Sequence, residues 1–174
     1  MKTLIIVDMQ NDFITGPLGT PEAQEVEKRI VKWLRTTTYD TIIFTRDTHT
    51  EDYLTTPEGE RLPIPHCIYG TEGWLISSPI TDELYEQWKL YILVNKTTFG
   101  YPNWKEVPLC GKADDEIDIV GVCTDICVVS NALILKAEFP SADIKVIAAL
   151  CAGTTPENHD KALDIMRACQ IDVI

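Results

Sequence analysis

The chain has 174 residues, 45% of them hydrophobic, the size and composition of one globular domain spanning residues 1–174 with a sizeable core. A formal net charge of -12 argues against nucleic acid as a partner, because most of the surface would repel phosphate; a small neutral or cationic molecule is the easier ligand. After Met1 and Lys2 the first apolar run, "TLIIV", stops at Asp8, too short for a signal-peptide core or a membrane span, so a cytoplasmic protein with no membrane partner is expected.

In chain order, "TLIIVD" (3–8), "TIIFTRD" (41–47), "LYILVNK" (90–96), "EIDIVGV" (116–122) and "IKVIAAL" (144–150) are short runs rich in Ile and Val. They suit strands covered on both faces, as in a parallel sheet. Helical patterns separate them. Residues 21–35 open with Thr20 as N-cap and Pro21 at the first helical position, and Ala23, Val26, Ile30 and Leu34 form one stripe. Stretches 80–88, 125–138 and 156–169 read similarly, the last behind Thr155 and Pro156. The stretch 48–79 carries Thr, Pro and Gly without a sustained period and reads as a long ordered loop of the kind that is usually functional. Strands alternating with helices predict an α/β fold with helices on both faces of a mainly parallel sheet.

In such sheets ligands collect at the carboxyl ends of the strands, where this chain offers Asp8, Asp47, Lys96 and the Cys123–Asp125–Cys127 turn. Singly, each is an ordinary turn, cap or solvated residue. Together a carboxylate, an ammonium and a thiol supply a base, a charge stabiliser and a nucleophile, enough for acyl transfer. Cys127 is better placed than Cys123 to attack, because a helix beginning near Asp125 puts it in a first turn whose free N–H groups favour thiolate and can receive an oxyanion. A buried cysteine in the apolar run "CVVSNALIL" and a redox pair with Cys123 are the competing readings. The six cysteines (67, 110, 123, 127, 151, 169) are sparse, contain no Cys-x-x-Cys and are expected as thiols.

The 48–79 loop suggests a second cluster. "RDTH" places Asp47 and His49 two apart, so an extended chain can point both the same way, and "PIPHC" returns His66. With Glu51, Asp52, Glu58 and Glu60 nearby, a mixed nitrogen and oxygen site for zinc, iron or manganese stands beside a plain polar loop. His159, in the last helix, is expected at the surface or in capping rather than as a ligand.

The segments "IIVDMQNDF", "TRDTH", "PHCIYGTEGW", the strand-terminal "NK", "GVCTDICV" and "PENH" resemble the isochorismatase-like cysteine hydrolases, and within them the nicotinamidases, in the family's order over most of the chain. The resemblance implies a three-layer α/β/α fold and an Asp–Lys–Cys triad of Asp8, Lys96 and Cys127. It implies a cis peptide at Val122–Cys123 that presents the amides of Cys123 and Cys127 as oxyanion donors. A divalent metal would be held by Asp47, His49 and His66. Members with a fourth ligand take a histidine or a glutamate from the intervening loop; no histidine lies between His49 and His66, and the "PE" of "TTPEGE" selects Glu58 over Glu60. Isochorismatases proper lack this metal site, so the ligand set favours an amidase acting on a small amide, nicotinamide first and carbamoyl or ureido compounds as the rival. A redox or metal-binding thiol protein without turnover is the reading from another class, and assembly of identical copies is left open. Where nicotinamidases often carry a tyrosine soon after the lysine, this chain reads "KTTFGYPNW", offering Phe99, Tyr101 and Trp104; with Phe13 from the first loop, Phe99 is expected to cover the substrate ring.

Overall fold

The computed structural model describes residues 1–87, 89–108 and 115–174. The tip of the helix expected over 80–88 and Cys110 fall outside those residues. Strands β1 (Lys2–Val7), β2 (Thr41–Asp47), β3 (Ile92–Lys96), β4 (Glu116–Val122), β5 (Asp143–Ala152) and β6 (Asp172–Val173) form one sheet in the order β3-β2-β1-β4-β5-β6, every neighbouring pair parallel. The order reverses between β1 and β4, which opens a crevice at their carboxyl ends.

Alternation along each strand divides the apolar side chains between two cores. Leu4 and Ile6 of β1 face one way, packed with Ile14 of the short α1 (Asn11–Ile14), Ala23, Val26, Ile30 and Leu34 of α2 (Pro21–Thr36) and Ile80 and Leu84 of α4 (Ser78–Glu86). Ile5 and Val7 face the other way, with Ala132 and Leu135 of α5 (Val129–Glu138) and Leu163 and Met166 of α6 (Pro156–Ala168). The result is three layers, as expected. Each large aliphatic side chain buried this way contributes about 1.5–3 kcal/mol. The Thr20 hydroxyl accepts the Ala23 amide at 3.0 Å and Thr155 accepts that of Asn158 at 3.1 Å, so both expected N-caps form behind their prolines.

Four details differ from the sequence reading. The stretch 48–79 is ordered, as expected, but is not loop throughout: it holds a turn of 3₁₀ helix at Tyr53–Thr55, the short α3 (Pro57–Arg61) and the start of α4. α3 is only five residues long and α4 only begins at Ser78, so neither gives a periodicity count enough residues within this stretch. Strand β3 begins at Ile92 and is an edge strand, with Leu93 and Asn95 exposed rather than covered on both faces. Strand β5 runs on to Ala152, and β6, only two residues long, carries too short a pattern to be read. The helix expected from Asp125 opens instead as a π-helical turn over Thr124–Val128, whose Val128 amide donates to the Cys123 carbonyl at 3.1 Å; such wide turns are frequent at functional sites.

Candidate active site

The carboxyl edge of the sheet presents, strand by strand, Lys96 from β3, Asp47 from β2, Asp8 just after β1 and the cysteine turn after β4. Asp8 is held in the left-handed region at φ 49, a costly conformation for a residue with a Cβ and one concentrated at functional sites. Its amide donates to the backbone and side-chain oxygens of Thr45, both at 3.2 Å, and the Thr45 hydroxyl donates to Asp8 Oδ1 at 2.6 Å. Next to it, Gly121 (φ 121) lets β4 lie against β1 so closely that a Cβ would fall 2.1 Å from the Val7 carbonyl oxygen. The peptide between Val122 and Cys123 is cis.

Lys96 is buried, and its Nζ lies 2.6 Å from Asp8 Oδ2, 3.4 Å from Asp47 Oδ1 and 3.6 Å from Cys127 Sγ. Two strand spacings, roughly 9–10 Å, separate β3 from β1, so only a long side chain from β3 can pass over Asp47 to Asp8. Burial alone would lower the Lys96 pKa, but Asp8, Cys127 and Asp47 outweigh it and keep the ammonium charged. Burial raises the Asp8 pKa against the opposing pull of Lys96. The Cys127 thiol is pushed well above its usual range, first by burial and then by the Asp8 carboxylate. A helix start is expected to favour the thiolate; here the sulfur is enclosed beside Asp8, and burial and that carboxylate outweigh the pull of Lys96. All described cysteines are free thiols, and Cys123 and Cys127 are not joined.

Asp47, His49, Glu58 and His66 each turn one donor atom inward, and these atoms lie within 4.8 Å of one another. His49 Nε2 is 2.8 Å from Asp47 Oδ2 and 3.7 Å from Glu58 Oε1, while His66 Nε2 is 3.5 Å from Asp47 Oδ2. His66 Nδ1 donates to the Ile64 carbonyl at 2.8 Å, which leaves the Nε2 lone pair facing the cluster. Two imidazoles and two carboxylates in this orientation fit a divalent cation. α3 turns Glu58 inward while Glu60 stays exposed, because Thr56 caps the helix at Gly59 and Gly59 packs on the Tyr53 carbonyl. Of the other loop carboxylates, Glu51 and Asp52 are exposed.

A cavity of about 340 Å³ lies over these groups, lined by Asp47, Glu58 and His66 on one side, Cys123, Ile126 and Cys127 on another, and Phe13, Leu18, Leu62 and Phe99 around them. Phe13 packs edge-on against His66 with ring centres 5.5 Å apart, whereas Phe99 is 47% exposed at the mouth. Tyr101 and Trp104 pair with each other at 5.3 Å and stand apart from the cavity, so of the three aromatics after Lys96 only Phe99 reaches it.

Residues the sequence reading passed over support this arrangement. Gln10 is fully buried, donates to the Asp47 and Trp74 carbonyls at 2.9 Å and accepts the Asp47 amide at 2.7 Å, clamping the β2 terminus. Asp12 accepts the amide of Cys67, the residue after His66, at 2.7 Å. The signal that points to them is position: Gln10 and Asp12 follow Asp8 just past a buried strand, and Thr45 is the first polar residue after the apolar run of "TIIFTRD".

The comparisons agree with this architecture. The isochorismatase domain profile matches residues 2–174. The nicotinamidase/pyrazinamidase of Mycobacterium tuberculosis is 29% identical over 189 residues, covering 100% of this chain and 98% of that protein. The nicotinamidase of Saccharomyces cerevisiae is 30% identical over 217 residues, covering 100% and 99%. The solved structure of pyrazinamidase/nicotinamidase from Streptococcus mutans UA159 superposes with a TM-score of 0.80 at 28% identity, covering 100% of both chains. Buried triad, loop cluster and sheet order thus sit in a chain that belongs to the isochorismatase domain family.

Proposed function

We propose that the protein is a cysteine amidohydrolase that converts nicotinamide and water to nicotinate and ammonia. The observation that carries this reading is the position of Lys96 Nζ, 2.6 Å from Asp8 Oδ2 and 3.6 Å from Cys127 Sγ, with Cys127 in the wall of a largely apolar cavity large enough for a small ring. Relatives named nicotinamidase that match the chain end to end support the choice of amide.

Because the resting thiol keeps its proton, Asp8 must accept it as Cys127 attacks the amide carbon. Lys96 holds the carboxylate and the emerging thiolate in place. The carbonyl π pair moves to oxygen, and the N–H groups of Cys123 and Cys127 receive that oxyanion, where one donor is worth about 2.7–4 kcal/mol of transition-state stabilisation. Asp8 returns its proton to the departing ammonia. It then takes a proton from water, whose oxygen cleaves the thioester, and the sulfur recovers the proton as nicotinate leaves.

Asp47, His49, Glu58 and His66 would hold a divalent metal, zinc or else iron or manganese, which when bound supplies Lewis-acid contact for a ring nitrogen. Phe13 and Phe99 would flank the ring, a stacking contribution of about 0.5–1.5 kcal/mol beyond area burial. Residues 1–174 would form one domain, which the match of the isochorismatase domain over 2–174 supports.

Ammonia release from a panel of small amides tests the reading. Turnover of nicotinamide supports it, turnover only of N-carbamoyl or ureido compounds transfers the chain to that substrate class, and reversible thiol oxidation without turnover makes it a sensor. Among the described residues no helix is long and apolar enough to cross a membrane.

A further inference from the structure

The cysteine turn is gripped from behind as well as from the sheet. Thr124, fully buried, shares a hydrogen bond of 2.8 Å with His159 Nδ1 on the first turn of α6. Its neighbour Asp125 accepts the Thr154 amide at 2.8 Å and the Thr154 hydroxyl at 2.5 Å. Gly153 makes the approach possible: a Cβ there would lie 2.8 Å from the His159 amide nitrogen and 3.0 Å from Asp125 Oδ1. Segment 153–159 and the turn are therefore built against each other, with Cys123 before the gripped pair and Cys127 after it.

His159 does not line the substrate cavity. It lines a separate cleft of about 300 Å³, behind the turn, with Glu22, Glu25 and Arg29 of α2. A side chain that meets the site through Thr124 and is not among the residues lining the substrate cavity does not bind substrate there, yet it bears on the backbone that carries both oxyanion donors. We infer that His159 is a positioning residue: through Thr124 it fixes the Cys123–Cys127 turn in the orientation that receives the oxyanion. This rests on the amidase reading above. Its consequence is a selective one. Losing the ring should impair steps that place charge on a carbonyl oxygen and spare substrate binding and simple thiol chemistry.

The test compares His159→Ala, His159→Gln and His159→Asn. Asparagine can place a polar atom where the ring has Nδ1; glutamine places it where the ring has Nε2. The expected result is a kcat loss on the order of 10²-fold for the alanine and glutamine variants, as for a misplaced catalytic group, with asparagine near wild type and KM for nicotinamide nearly constant. Alkylation of Cys127 by iodoacetamide, which builds no oxyanion, should keep its rate. Protection of Cys127 by nicotinaldehyde, which adds the sulfur to its carbonyl carbon and leaves an oxyanion, should weaken in parallel with kcat. Thr124→Val should copy His159→Ala and Thr124→Ser should not, which covers a histidine variant that folds poorly. Equal activity across the histidine variants, or a raised KM at unchanged kcat, would overturn the inference. So would a fall in alkylation equal to the fall in kcat. A wild type inactive on nicotinamide, with aldehyde protection that still depends on His159, would overturn the substrate and retain the positioning role.

Discussion

Asp47 faces Lys96 with one carboxylate oxygen, at 3.4 Å, and His49 with the other, at 2.8 Å. One side chain therefore joins the ammonium of the proposed triad to the proposed metal ligands. Burial pushes its pKa up, but hydrogen bonds from His49 and His66 together with the nearby charge of Lys96 hold the carboxyl well below the usual range, so it stays charged. Asp47→Ala should consequently lose metal and depress kcat together, whereas His66→Ala should lose metal and raise KM for nicotinamide more than it lowers kcat. Elemental analysis alongside steady-state kinetics separates the two; identical kinetic profiles would mean that Asp47 serves the metal alone.

Cys127→Ala should abolish amide hydrolysis with the melting temperature nearly unchanged, since alanine suits a helical turn. Cys123→Ala should retain most turnover, because its contribution is a backbone amide that the substitution keeps. Equal loss in two folded variants would count against a single nucleophile.

Lys96→Met should be severely destabilising as well as inactive. It leaves Asp8 and Asp47 buried without their shared cation, and breaking a buried pair in this way costs about 3–5 kcal/mol. Urea denaturation reads the loss directly, and an unchanged midpoint would show that the two carboxylates are not both ionised in the folded protein.

Gly121→Ala should cost about 1–3 kcal/mol and disturb Asp8, because the new methyl meets the Val7 carbonyl at a positive φ. A thermal melt shows the first effect and nicotinamide turnover the second. Wild-type stability in this variant would refute the tight β1–β4 contact.

Burial pushes the Cys151 thiol up to about 12. The folded chain therefore keeps a proton that the unfolded chain releases above its ordinary thiol pKa near 8.5, so this contribution to stability is complete below about pH 8.5 and is lost as pH rises towards 12. Denaturation midpoints at pH 7.5 and pH 10.5 should diverge less in Cys151→Ala than in wild type. An identical pH slope would remove Cys151 from the alkaline loss.

Local chemistry alone determined much of this protein. Runs of Ile and Val bounded by Asp8, Asp47 and Lys96 announced strands with polar ends, and Thr-Pro pairs marked the helix starts at Pro21 and Pro156, because period and capping act within a few residues. The resemblance of "DMQNDF", "TRDTH" and "GVCTDICV" to a known family added the grouping of Asp8, Lys96 and Cys127. The tertiary structure alone decided the rest. Strand order put Asp47 between Lys96 and Asp8, a relation between residues 39 and 49 positions apart that no local pattern encodes. It enclosed Cys127 beside Asp8, reversing the sign of the thiol's expected shift, since burial depends on what the rest of the chain packs around the sulfur. It also brought His159 onto Thr124 across 35 residues, turning a side chain that reads as a surface or capping histidine into part of the frame behind the site.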